Sequence, residues 1–331
     1  MDTNNVDHEH TTLGGPGELI GFVPGILGFH PADSLVVVIF GENDAATVDL
    51  MMRVDLPEPE QYEHVIDKLC GTLVWQQADA VVLIVVGGPD TLSHRDLLIA
   101  CESRFAETGI RTTHKLWTES TTAGARWHCY VESDCSGVVT NTTPVDQVNG
   151  VHPSRADLVA TLTPDDDDAL SRRAYLLAAA AGADKVDAAT LLQIVDAAVD
   201  DATCGELPNS DHHIVALSMA LCDHVVRDAC IVQPDEAHHQ AAEQLWAVLT
   251  RATPAPERAE PACLLALSAY QHGNGVLATI ALECAEAADP GHRLAEQIRN
   301  ALILGCPPAR MRHAAEAAGR SSRDSLTGGQ P

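Results

Sequence analysis

A chain of 331 residues with 46% apolar residues has room for two ordinary domains and a sizeable core, and aromatics at 4% leave the packing to Ala, Val, Leu and Ile. Its formal net charge of −27, with lysine only at positions 68, 115 and 185, repels phosphate backbones and anionic lipid, so no nucleic acid and no membrane surface is expected as a partner. The acidity serves solubility or, more sharply, an acidic docking face for a basic protein.

The opening "MDTNNVDHEHTTLGG" has no basic start and no apolar core of a leader, and no apolar run approaches the length of a membrane span. A cytoplasmic protein is expected. In a reducing compartment the 10 scattered cysteines are expected as small buried residues, not as a disulfide framework.

Residues 1–15 are polar and aperiodic, and are expected to be a disordered tail. "GELIGFVPGILGF" is apolar but is expected to break at Pro24 and Gly25. "DSLVVVIF" follows as a strand without polar alternation, the pattern of a central strand covered on both faces. "AATVDLMMRVDLP" reads as a second strand stopped by Pro57, and "EPEQYEHVIDKLCGTLVWQQ" as an amphipathic helix. "ADAVVLIVVGG" is another apolar strand and "DTLSHRDLLIACESRFAETG" a helix capped at Gly109. "IRTTHKLWTES" and "ARWHCYVES" then alternate as strands. The order predicts a mixed sheet with helices over 16–150 and at least one parallel pair.

After the linker-like "TNTTPVDQVNGVHPS" the strand signal ends, and 151–320 reads as an all-helical domain, with 321–331 as a second tail. The four aspartates of "DDDDALSRRAYLLAAAAG" sit at the positive end of a helix and need no metal. Further helices are expected near 187–202, 211–232, 235–252, 261–272, 275–288, 292–304 and 307–318. In 264–292, Tyr270, Gly273, Ala278, Ala285 and Pro290 fall where a tetratricopeptide unit places them, while Val276 and Ile280 replace its bulkier aromatics. The C-terminal half is therefore expected to be helical-repeat-like.

Candidate chemistry is sparse. No P-loop, no GxGxxG after a strand, no HExxH and no CxxC occur, so no cofactor is implied. In "GFHPADS", His30, Asp33 and Ser34 are candidates for ligand contact, without the GxSxG of a nucleophile elbow. Arg53 and Asp55, with Arg126 and Trp127, sit on or beside strands of an arginine-poor half; the two arginines are candidates to grip one anion, the alternative being an Arg–Asp pair at the surface or the domain joint. In "DHVVRDA", read as mid-helix, Asp223, Arg227 and Asp228 form a candidate inter-helix or inter-domain ionic set. "HCYVESDC" supplies at most His128, Cys129 and Cys135 for zinc, and on a strand the first two point to opposite faces, so no metal is expected. "VVGGPDT" carries a Gly pair at a strand end, a weak ligand-loop signal.

The ordered series "VPGILGFHPADSLVVV", "MMRVDLP", "RWHCY", "HPSRADLVA", "VVRDA" and "GNGVLATIALECAEAADPGHRLAEQI…GCPP" resembles the actinobacterial family DUF4192, a domain of unknown function, from about Leu19 to Met311. The resemblance implies no activity. Relatives often carry a cysteine-rich piece after the Arg-Trp motif; here it is reduced to His128, Cys129 and Cys135.

Two functions remain as expectations. One is a non-catalytic scaffold that binds another protein through its helical domain. The other is a small-ligand-binding protein or enzyme with its site at the end of the N-terminal sheet, where open α/β layers place theirs.

Overall fold

A computed structural model describes residues 15–40, 48–88, 94–132, 134–140, 150–182 and 186–328. The chain divides into two compact units, Met1–Arg155 and Ala156–Pro331.

The first unit is built on the apolar run of β1 (Ser34–Phe40). Every residue from Leu35 to Ile39 is buried, whichever face it points to. Such a strand needs neighbours on both sides and a covering layer on both faces. It lies between β2 (Val48–Asp55) and β3 (Ala80–Val86), antiparallel to each. β3 runs parallel to β4 (Arg111–Thr118), and β5 (Arg126–Cys129) and β6 (Ser136–Val138) complete a six-stranded mixed sheet in the order β2-β1-β3-β4-β5-β6. The central position and the parallel pair agree with the sequence.

Two helices pack on one face. α2 (Tyr62–Trp75) joins β2 to β3, and α3 (Arg95–Ala106) is the crossover that the parallel β3–β4 pair requires. Ile66, Leu69 and Leu73 of α2 and Leu97, Leu98 and Phe105 of α3 close over Leu35, Val37, Ile39, Leu83 and Val85. The opposite face carries Val36, Val38 and Ile84, equally buried.

α1 (Pro16–Leu27) meets that second face at Trp127. A Cβ on Gly17 would stand 2.6 Å from the Val138 carbonyl oxygen and 2.9 Å from Trp127 Nε1, so only glycine permits this approach. α1 corrects the expected break at Pro24. The ring's fixed φ suits a helix, and what proline removes is one backbone bond, so the helix continues and ends at Gly28 in the left-handed conformation (φ 77°). β6 was not expected: "SGV" is too short to show alternation.

The second unit is helical. α4 (Arg155–Ala160) precedes α5 (Asp167–Ala181), α6 (Ala188–Thr203) and α7 (Asp211–Leu221), of which the last three start on side-chain caps from Asp166, Asp187 and Ser210. α8 (His224–Ala229) is capped by Asp223 and α9 (Glu236–Ala252) by Asp235. α10 (Ala259–Gln271) is buried at every position from Pro261 to Leu267, as a central helix must be, and a short turn through Gly273 (φ 80°) joins it to α11 (Gly275–Ala288). α12 (Arg293–Ile303) and α13 (Pro308–Thr327) follow.

Two expectations need correction. The single helix expected over 211–232 is α7 plus α8, because the Asp223 carboxylate accepts the free N–H groups of Val225 and Val226 and begins a new helix. The tail expected from 321 is helical through Thr327; the N-terminal tail, but for Gly15, lies outside the described residues. Among the described residues no helix is long and apolar enough to cross a membrane.

Candidate functional site

At one end of the sheet the register aligns Asp55, Ser34, Val86, Thr118 and Trp127 across five strands, all on the face that α1 meets. Ser34 and Thr118 are fully buried, and each hydroxyl is accounted for. Ser34 Oγ donates to the Ala32 carbonyl at 2.6 Å and accepts from Arg53 Nε at 2.8 Å. The Arg53 guanidinium is held by Asp55 at 2.5 Å and lies 5.9 Å from the Phe29 ring centre. Thr118 Oγ1 donates to the Ser120 carbonyl at 2.7 Å. His30 Nδ1 is 2.8 Å from Thr121 Oγ1, and the His30 backbone N–H donates to the His152 carbonyl. His30, Ser34, Arg53 and Asp55 thus belong to polar links that tie segment 28–34 to β2 and to the β4–β5 turn.

Arg126 is elsewhere. It precedes Trp127 by one residue and so points to the other face, and β2 and β5 lie four strand spacings apart, about 19 Å. Its guanidinium is exposed and held by Glu119 at 2.5 Å. The structure does not bring the two arginines to one anion. Trp127 donates from Nε1 to the Val138 carbonyl at 3.1 Å and packs on Gly17 and Gly137.

Open chemistry lies at the carboxyl end of β3. Gly87 and Gly88 both have positive φ (82° and 87°), and a Cβ on Gly87 would stand 3.0 Å from Asp33 Oδ1. Asp33 is itself in the left-handed region (φ 43°), exposed, and without the ordinary reason of a glycine. Gly87 is pinned from both sides: its N–H donates to the Thr118 carbonyl at 2.9 Å, and its carbonyl accepts from Trp117 Nε1 at 3.0 Å. Across the loop, His94 stands at the start of α3 with both ring nitrogens shielded from solvent and neither hydrogen-bonded.

Burial lowers the His94 pKa, although the Asp33 charge pulls it the other way; burial lowers that of His30 too. Both rings are therefore neutral in the folded protein near pH 7. Their depressed values contribute stability that is present above the ordinary histidine value of 6.5 and is lost as pH falls through it towards the folded values. A neutral imidazole offers one donor and one acceptor, and the Asp33 charge acts on it without a hydrogen bond to it. The sequence placed His94 inside a helix and gave it no role; the strand–Gly-Gly–helix junction was its only signal. Residues 89–93 of that junction lie outside the described residues.

In the helical unit, Asp223 is spent as a cap, and Arg227 binds Asp228 at 2.7 Å and Glu260 of α10 at 2.9 Å. Glu260 also meets His292 Nε2 at 3.2 Å, and His292 Nδ1 lies 3.4 Å from Cys263 Sγ. Burial raises Glu260, but hydrogen bonds from His292 and Arg227 outweigh it and hold the carboxyl below its ordinary value. This Cys-His-Glu alignment is not a nucleophile site, since Cys263 is fully buried and burial pushes its thiol up to about 12. His128 stacks against Trp117 and Tyr130, with ring centres 4.9 and 5.8 Å apart. Among the described residues no group of three His, Cys, Asp or Glu side chains is placed to hold a metal ion.

No curated protein and no solved structure matches the chain. A family model described as a domain of unknown function, DUF4192, matches residues 16–309, and the chain belongs to that family.

Proposed function

We propose that this protein binds a small polar ligand at the carboxyl end of β3, between Asp33, the Gly87–Gly88 pair and His94. The observation that carries this reading is the His94 ring, whose two nitrogens are withdrawn from water without a partner. Leaving such groups unpaired costs about 1–3 kcal/mol, a cost a bound molecule would relieve. Asp33 is the charge beside the ring, so a neutral or cationic ligand with both a donor and an acceptor suits the site better than a phosphate.

The test is the stability of His94→Phe without ligand. A shape-conserving apolar ring removes the unpaired nitrogens, so the variant should melt at or above the wild-type temperature, by a gain of up to about 1 kcal/mol. A clear loss of stability would assign His94 to the fold and remove the reading.

A second reading, partner binding through the helical unit, draws on Ile303 and Leu304, which are 70% and 60% exposed side by side at the end of α12. It expects a stoichiometric protein partner that co-purifies with the full-length chain and is lost from the Ile303→Glu, Leu304→Glu double variant. Unchanged recovery removes this surface from the account.

A further inference from the structure

The β5–β6 hairpin sets two thiols face to face. Trp127 pairs with Gly137 and His128 with Ser136, and the Cys129 N–H donates to the Cys135 carbonyl at 2.8 Å, which carries the register one step further. Only one of the two bonds of a full ladder pair is made, since the Cys135 N–H donates to the Glu132 carbonyl at 3.1 Å; opposed residues of an antiparallel pair have Cα atoms about 4.5–5.5 Å apart, inside the span of about 4.4–6.8 Å that a disulfide bridges. The two thiols are near enough for the Cys129 side chain to act on the Cys135 thiol across this step. Cys129 is 8% exposed, whereas Cys135 is only half-buried, so an outside reagent meets Cys135 first. Burial, then the Cys129 thiol and Glu132, raise the Cys135 pKa, so its attack speeds up as pH rises.

We propose that Cys129 and Cys135 form a dithiol site that passes two electrons to a small organic disulfide and closes into an intramolecular disulfide at the tip of the hairpin. The Cys135 thiolate attacks one sulfur of the reagent, forming a mixed disulfide and releasing one thiolate. The Cys129 thiol, opposed to it across the hairpin, loses its proton to solvent and attacks Cys135 Sγ, and the second thiolate leaves. Two protein thiols and one small disulfide become one protein disulfide and two small thiols, so atoms and electrons balance. Cys135 is the attacking group and Cys129 the resolving one. The site is independent of the ligand reading above, since neither residue takes part in it.

The test uses the full-length reduced chain, exposed to oxidised glutathione at about pH 8.5, near the ordinary thiol value, then alkylated with a maleimide and mapped by mass. The expected result is a peptide spanning 129–135 that has lost two hydrogens and carries no maleimide. Cys129→Ala should trap glutathione on Cys135, and Cys135→Ala should leave the buried Cys129 a free thiol. The exposed Cys204 reports that the reagent was competent. Glutathione persisting on Cys135 of the wild-type chain would overturn the proposal. So would maleimide on both cysteines when Cys204 has reacted.

Discussion

An aspartate at Val37 and an aspartate at Val38 are expected to unfold the N-terminal unit equally. The two valines point to opposite faces of β1, and each is fully buried. On an ordinary half-exposed strand one of the two would meet water and the substitution would be tolerated. Here each buries a charge with no cation beside it, at a cost of several kcal/mol, comparable with the whole stability of a domain. Val138→Asp on β6 is the control: Val138 is 54% exposed, and its substitution should change stability by no more than about 0.5 kcal/mol. Chemical denaturation of the three variants, followed by far-UV circular dichroism, distinguishes the cases. If either Val37→Asp or Val38→Asp behaves like the control, β1 is not covered on both faces.

The second large effect is expected in the helical unit, at Arg173. Its side chain is 9% exposed and reaches Asp165 at 2.6 Å, Asp211 at 2.8 Å and the Ala252 carbonyl at 2.9 Å, so one guanidinium joins α5 to the starts or ends of α7 and α9. Replacing it by methionine keeps the apolar stem but leaves Asp165 and the Ala252 carbonyl without this partner and Asp211 with Arg172 alone, so the loss should clearly exceed that of an exposed ion pair. Its neighbour Arg172 also binds Asp211, at 3.0 Å, but is 59% exposed, and Arg172→Met should cost less than about 1 kcal/mol. The pH dependence has a definite sign. Hydrogen bonds from Arg172 and Arg173 hold the Asp211 carboxyl below its ordinary value of 3.8, so its contribution is present above that value and is lost as pH falls through the folded one. The deficit of Arg173→Met should therefore shrink in strong acid. Equal, small losses for the two arginine variants would mean that the buried clamp does not hold the helices.

What the sequence revealed followed the strength of local patterns. β1 was legible because seven residues from Ser34 to Phe40 contain no polar interruption beyond the first, and only a covered strand tolerates that. The helical half was legible from its 3.6-residue spacing, except at Asp223. There Val225 and Val226 continue the apolar period, and nothing local distinguishes an aspartate within a helix from one that caps the next. Pro24 was over-read as a stop, because sequence does not show that a helix can forgo one backbone bond. The pairing of Arg53 with Arg126 failed for a different reason. Both lie on strands, but their separation depends on strand order, which long-range pairing decides. His94 was invisible because its distinction is the absence of a hydrogen bond, which no residue pattern encodes.

The measurement that bears most directly on the binding site is a thermal-shift screen of neutral and cationic metabolites against the full-length protein and its His94→Phe variant. A ligand at a hundred times its dissociation constant should stabilise the wild type by about 2.7 kcal/mol. At least one such ligand is expected, with its stabilisation lost in His94→Phe although that variant is as stable on its own. Stabilisation of equal size in both proteins, or no stabilising ligand at all, would contradict a site built on His94.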